Sequence, residues 1–195
     1  MKKLALLLFV SVFPLSGAQA QNVFSLGVAV GSADQEYSNL FTEVSGSDTS
    51  IGIRLGAPVG EFMVIEGALY NFGEANDNYF DEFGDFITTK SSTTSINGGF
   101  AGVIPLSYAA DLVGRIGLTL WDSEIEITDS AFPGEVSVDD DNGVGIYFGF
   151  GARAKVAYNI KVGFEYMFFD FEPSYFGVTG DQSIDNFALT LDVGF

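Results

Sequence analysis

The last twelve residues constrain this chain most. From Ile184 to Phe195, the residues Phe187, Leu189, Leu191, Val193 and Phe195 fall on one face, with Ala188, Thr190, Asp192 and Gly194 on the other. Strict period-2 alternation is the signature of a β-strand with two different environments. Here it runs into a terminal aromatic residue. A soluble sheet that ended on so apolar a strand would leave an open, sticky edge. A closed barrel removes that edge by pairing the last strand with the first, and lipid demands closure because it offers no partner to unpaired backbone groups.

Seven further segments alternate in the same way, near Val23–Gly31, Thr49–Ala57, Phe62–Phe72, Thr93–Ile104, Asp111–Trp121, Gly143–Ala154 and Ile160–Phe169, and Ser183–Phe195 is the eighth. Each is close to the roughly 9–11 residues that a tilted strand needs to cross the hydrocarbon. The links between them alternate in length. Residues 58–61, 105–110 and 156–159 are short, whereas 32–48, 73–92, 122–142 and 170–182 are long. Short turns on one side and long loops on the other are the pattern of an up-and-down transmembrane β-barrel with eight antiparallel strands. The even strand count puts both termini on the short-turn side.

The charges fit the same arrangement. The 26 acidic residues far outnumber the 8 basic ones, and all of the acids but Glu61, Glu66, Asp111, Glu165 and Asp192 lie in the long connections or at their borders. A net charge of −18 argues against nucleic acid, whose phosphates need Lys and Arg. Within the strands, Arg54, Glu66, Arg115, Arg153, Lys161, Glu165 and Asp192 all oppose the apolar face, which places them in the lumen. Glycine and alanine crowd the same face at Gly27, Ala29, Gly52, Gly99, Ala101, Gly117, Gly149 and Gly163, leaving room for larger neighbours. An eight-stranded barrel is just wide enough for side chains to fill it. The lumen charges are therefore either a paired plug or a gate in a narrow channel, and the plug is the stronger reading because buried charges must pair. Tyr70, Phe72, Tyr108, Trp121, Tyr158, Phe168, Phe169 and Phe195 lie near strand ends and read as interfacial anchors.

The N-terminus reads as an address. Met1-Lys2-Lys3, an apolar stretch from Leu4 to Leu15 and Ser16-Gly17-Ala18-Gln19-Ala20 have the parts of a secretory signal peptide cleaved after Ala20. Cleavage removes Lys2 and Lys3, takes the net charge from −18 to −20, and leaves a barrel domain over residues 21–195. The chain has neither cysteine nor histidine. Disulfides and thiolate metal sites are absent, and so are a Ser–His pair, a histidine base and a histidine metal ligand. The expectation is a non-enzymatic protein without cofactor. Asp139-Asp140-Asp141-Asn142-Gly143 is a weak candidate for a divalent cation, since it lacks the spacing of a calcium loop. Glu124-Ile125-Glu126-Ile127, with Val136-Ser137-Val138 opposite, predicts a hairpin projecting past the membrane.

Asp111–Trp121, Gly149–Phe169 and the terminal Phe195 resemble the OmpA-like and OmpX-like small outer-membrane barrels of Gram-negative bacteria. The resemblance covers the mature chain. It implies an integral outer-membrane protein, monomeric, in contact with lipid and lipopolysaccharide. It also implies that Phe187, Leu189, Leu191, Val193 and Phe195 form the signal read by the outer-membrane assembly machinery. Arg115 and Glu165 are similar to members of an interior salt-bridge gate in that family. The lipid-remodelling barrel enzymes match this chain in size, but they rely on histidine. OmpA itself continues into a peptidoglycan-binding domain, and this sequence stops at Phe195.

Overall fold

The computed structural model of the protein describes residues 24–39, 43–80, 84–132 and 135–195. The expected signal peptide, residues 1–20, lies outside them. Eight long strands form the wall: β1 (Ser25–Ser38), β2 (Glu43–Pro58), β3 (Met63–Phe80), β4 (Phe86–Ser107), β5 (Ala110–Asp129), β6 (Val136–Lys155), β7 (Ile160–Phe171) and β10 (Asp181–Gly194). A two-stranded ribbon of β8 (Ser174–Tyr175) and β9 (Val178–Thr179) sits in the last long connection. Every neighbour is antiparallel, and the order β1-β10-β7-β6-β5-β4-β3-β2 closes on itself.

Closure is made by the terminal strand. β1 pairs with β10 from Ser25↔Gly194 to Ser38↔Asp181. Beyond the ladder, the Phe195 N–H donates to the Phe24 carbonyl at 2.9 Å. Phe187, Leu189, Leu191 and Phe195 lie exposed on the outside, as the alternation predicts. Around the barrel the same belt continues through Val28, Ile53, Leu69, Phe100, Ile116, Phe148 and Phe164, all exposed. Below it, the Lys155 ammonium stands 5.0 Å from the ring centre of Tyr108 and 5.3 Å from that of Tyr158, a pair of cation–π contacts at the short-turn rim.

Two expectations are corrected. The first concerns the long connections, which are mostly strand. β4 runs for 22 residues and β5 and β6 for 20 each, about twice what the hydrocarbon requires. The predicted β5–β6 hairpin is present, with Ile125↔Asp139 and Ile127↔Ser137 in register, but β1–β2 and β3–β4 project as well. The hidden strands are polar on both faces, as in Thr88-Thr89-Lys90-Ser91-Ser92-Thr93-Thr94. Threonine favours strands, but without an apolar face the period-2 signal vanishes.

The second correction concerns the aromatics. Tyr108, Tyr158, Phe168 and Phe195 do face outward. Tyr70, Phe72, Trp121 and Phe169 instead turn into the lumen and are almost fully buried. Their parity is that of Glu66, Arg115 and Glu165 on the same strands, so the alternation that places the charges inside places these rings inside too.

The projecting part is not a simple continuation of the cylinder. The β2–β3 ladder ends at Ile51↔Asn71 and the β6–β7 ladder at Ile146↔Asp170, whereas β3–β4 continues to Phe80↔Phe86. At the first break, Phe72 and Gly73 together face Thr93, a β-bulge in which Gly73 takes φ +77, the left-handed conformation that suits glycine. The bulge shifts the parity of β3, so that Phe72 and Ala75 are both buried. Carboxylates bridge the two breaks. Asp48 accepts the Glu74 N–H at 2.9 Å across one. Asp139 and Asp141 accept the Phe176 and Ser174 N–H groups across the other, the latter at 2.7 Å. Tyr37, Val44, Ile125 and Tyr175 pack across the interior between the breaks and form a second small core.

Two predictions follow from this architecture. Leu189→Arg, in the middle of the lipid belt, is expected to cost about 2–4 kcal/mol in urea unfolding from bilayers, against about 0–1 kcal/mol for Asp34→Arg above the belt. The Glu74 and Thr49 N–H groups hold the Asp48 carboxyl below its ordinary value. Its contribution is complete above the ordinary carboxylate pKa of about 3.9 and disappears as pH falls through the lower folded value. Hydrogen exchange at the Glu74 amide, corrected for intrinsic rate, should therefore accelerate on acidification, and Asp48→Asn should remove that dependence.

Candidate functional site

The interior of the membrane-spanning zone is built in layers. The central layer is a charge network. Arg54 on β2 reaches Glu165 on β7, with Nη1 2.9 Å from Oε2. Arg115 on β5 meets the same oxygen with Nη1 at 3.0 Å and donates Nε–H to Glu66 on β3 at 2.8 Å. The Tyr70 hydroxyl donates to Glu165 Oε1 at 2.8 Å. Both oxygens of Glu165 are thus engaged, in a carboxylate that is 1 % exposed. These four charged groups come from β2, β3, β5 and β7, so the network spans the lumen.

A second layer lies toward the short-turn side. Arg153 Nη1 stands 3.9 Å from Asp192 Oδ2, and Arg153 Nη2 stands 3.7 Å from Asp111 Oδ2. Lys161 donates to Asp111 Oδ2 at 2.5 Å. Asp192 Oδ1, 3.5 Å from Arg54 Nη2, links the two layers. All seven predicted lumen residues are brought together. Asp111 is the member that sequence reasoning left out. Its parity on β5 is that of Arg115, which was the signal available. With it, four cations face four anions.

The third layer, toward the long-loop side, is aromatic. Tyr70, Phe72, Phe169, Phe171, Trp121 and Tyr147 join Met167 in one buried cluster. Phe72 and Phe169 meet edge to face at 4.8 Å, and Trp121 lies against Phe171 at 5.5 Å. The glycines opposite these rings leave them the space. A Cβ on Gly52 would come within 2.4 Å of the Tyr70 ring, and one on Gly149 within 2.3 Å of Met167 Sδ.

Little space is left. Between the charge network and Tyr147, Asn97 and Met167 lies a cavity of about 10 Å³, room for about one water. A wider cavity of about 180 Å³ opens at the short-turn mouth, beside Arg153, Lys161, Tyr158 and Asp192. It ends at the network.

The Asp139–Asp141 segment does not assemble as a cation site. Asp139 and Asp141 share the inward face of β6 and are occupied by backbone N–H groups, while Asp140 is exposed on the opposite face. Strand alternation alone keeps three consecutive carboxylates from converging. Among the described residues no group of three or more acidic side chains is placed to hold a metal ion.

A family model described as outer membrane protein beta-barrel domain matches residues 5–195. No curated protein matches the sequence. Among solved structures, the barrel is similar to Neisserial surface protein A, with a TM-score of 0.56 at 13 % identity over 88 % of this chain and 97 % of that one. The outer membrane protein OprG from Pseudomonas aeruginosa gives 0.49 at 12 % identity, over 89 % of this chain and 97 % of that one. At such identities the first likeness speaks for the fold.

Two substitutions test the interior. Glu165→Ala leaves Arg54 and Arg115 buried beside a missing partner and is expected to destabilise the barrel by about 3–5 kcal/mol. Gly52→Ala forces the Tyr70 ring aside and should cost about 1–3 kcal/mol. Urea unfolding in lipid, read by tryptophan fluorescence, measures both.

Proposed function

The chain belongs to the outer membrane protein beta-barrel domain family and is an integral outer-membrane protein, and on that premise we propose that its barrel is a closed, non-conducting anchor that carries an interaction surface outside the cell. One observation carries the reading: the lumen is closed twice, once by the network centred on Glu165 and again by the layer of Phe72, Phe169 and Trp121. The network holds the wall strands together across the lumen, and its balance of charge suits a plug. The exposed features lie on the projecting strands, where Asp34, Glu36, Asp122 and Glu124 point outward.

The remaining parts fit this role. The barrel works without cofactor and without catalysis, in keeping with the lack of histidine. It stands as a monomer, since its belt is covered by lipid and its strand ladder closes within one chain. Lipopolysaccharide surrounds its outer half. The outward row Phe187, Leu189, Leu191, Val193 and Phe195 serves first as the recognition signal for the assembly machinery and then as part of the lipid belt. A narrow channel gated by Arg115 and Glu165 is the competing role, and the aromatic layer weighs against it.

Single-channel recording of the refolded protein in planar bilayers separates the two. The protein and Arg115→Ala should both be silent, because the aromatic layer remains in the mutant. Discrete openings in the unmodified protein, or their appearance in Arg115→Ala alone, would overturn the closed-anchor reading.

A further inference from the structure

The four-stranded sheet β3–β6 rises beyond its cover. Its inward face carries Ile87 on β4 and Ile125 and Ile127 on β5, among the buried Thr89, Ser91 and Ser123. Tyr37 from β1, Val44 from β2 and Tyr175 from β8 cover the lower part, burying Ile125 fully and Ile127 in part. The sheet continues upward without them. There Tyr79, Ile87, Ile127 and Phe132, together with Asp129, Glu135 and Ser137, line an open cavity of about 350 Å³. That volume lies at the lower end of the roughly 300–1,000 Å³ common for ligand pockets. Phe132 is 59 % exposed. The Glu135 N–H donates to the Phe132 carbonyl at 3.0 Å, and the Ala131 N–H to Asp129 Oδ1 at 2.8 Å. Asp129, Phe132 and Glu135 thus bring one large ring and two carboxylates to the same opening.

We propose that this cavity is a docking site for a cationic, amphipathic peptide segment from outside the cell, which inserts one aromatic or branched aliphatic side chain and sets a neighbouring Lys or Arg against Asp129 and Glu135. Two observations choose that occupant. The apolar floor is a direct continuation of the core already formed by Tyr37, Val44, Ile125 and Tyr175, so an inserted side chain extends an existing packing surface. The surroundings are acidic throughout, with Lys90 as the one basic side chain among the described residues of β3–β6 above the belt, and it is paired with Glu74 at 3.0 Å. An anionic or neutral partner gains nothing from such a field, whereas a cationic one is drawn in. The fit to an extended segment follows from alternation: side chains two apart share a face, so apolar and basic residues in turn can meet the floor and the rim.

The inference rests on the projecting strands being the functional surface, and its test is independent of the conductance experiment. The refolded protein in phosphatidylcholine vesicles would be titrated with three fluorescent peptides of equal length: alternating lysine and phenylalanine, all lysine, and alternating serine and phenylalanine. The lysine–phenylalanine peptide should bind at least about tenfold more tightly than either control. Phe132→Ala and Ile127→Ser should each weaken it about tenfold, and Glu135→Gln should weaken it and flatten its salt dependence. Phe132 and Glu135 are exposed, so their variants leave the barrel intact, which heat-modifiable gel migration verifies. Equal binding of the all-lysine peptide would overturn the proposal in favour of a diffuse acidic surface. Equal binding of the serine–phenylalanine peptide would overturn it in favour of apolar stickiness. Unchanged affinity in Phe132→Ala and Ile127→Ser would also overturn it. None of these results would reopen the lumen, so the closed-anchor reading stands or falls separately.

Discussion

The structure depends on one demand of the bilayer: no backbone N–H or C=O can remain unpaired in hydrocarbon. The ladder from Ser25↔Gly194 to Ser38↔Asp181 meets it by joining the ends of the chain. Until that ladder forms, both β1 and β10 are open edges. Once it forms, one face of every strand in the spanning zone is committed to lipid and the other to a lumen of fixed width. The belt from Val28 round to Leu191 is the outward result of that commitment.

The inward result is a crowded, charged interior. Eight strands leave no room for bulk water at the level of Glu165, so a charge there is solvated by other side chains. Two guanidinium groups and a phenol converge on this carboxylate. Leaving any of them alone would be costly in a medium of low dielectric. The same narrowness explains the glycines. Tyr70, Tyr147 and Met167 are large, and each lies against glycine on a neighbouring strand. Closure, charge pairing and the large-to-small alternation across the lumen are therefore linked consequences of barrel size.

Above the membrane the demand relaxes, and the fold changes with it. Water can satisfy backbone groups there, so the wall opens between β2 and β3 and between β6 and β7. Side-chain carboxylates on Asp48, Asp139 and Asp141 replace part of the missing ladder. The strands separate into two groups that pack through Tyr37, Val44, Ile125 and Tyr175. Since one group is taller than the other, the inward face of β3–β6 extends past that packing, beside Phe132.

The membrane-spanning zone was legible from the amino-acid sequence because lipid imposes a strict rule on every second residue. Strand number, the lipid face and the inward direction of Arg54, Glu66, Arg115, Arg153, Lys161, Glu165 and Asp192 all follow from that rule. Of the outer half only the β5–β6 hairpin was legible, through Ile125 and Ile127; the rest was not, because Thr88–Thr94 has water on one side and a polar interior on the other, and no alternation remains to be read. Which acid meets which base belongs to the tertiary structure alone. It depends on how far each strand is staggered against the next, and it is this stagger that brings residues 111 positions apart, Arg54 and Glu165, to 2.9 Å. The inward aromatic layer had a sequence signal in its parity with the charges, but its closure of the lumen is a matter of packing. Alternation fixes the side of the wall on which a side chain lies; only the closed barrel decides what it meets there.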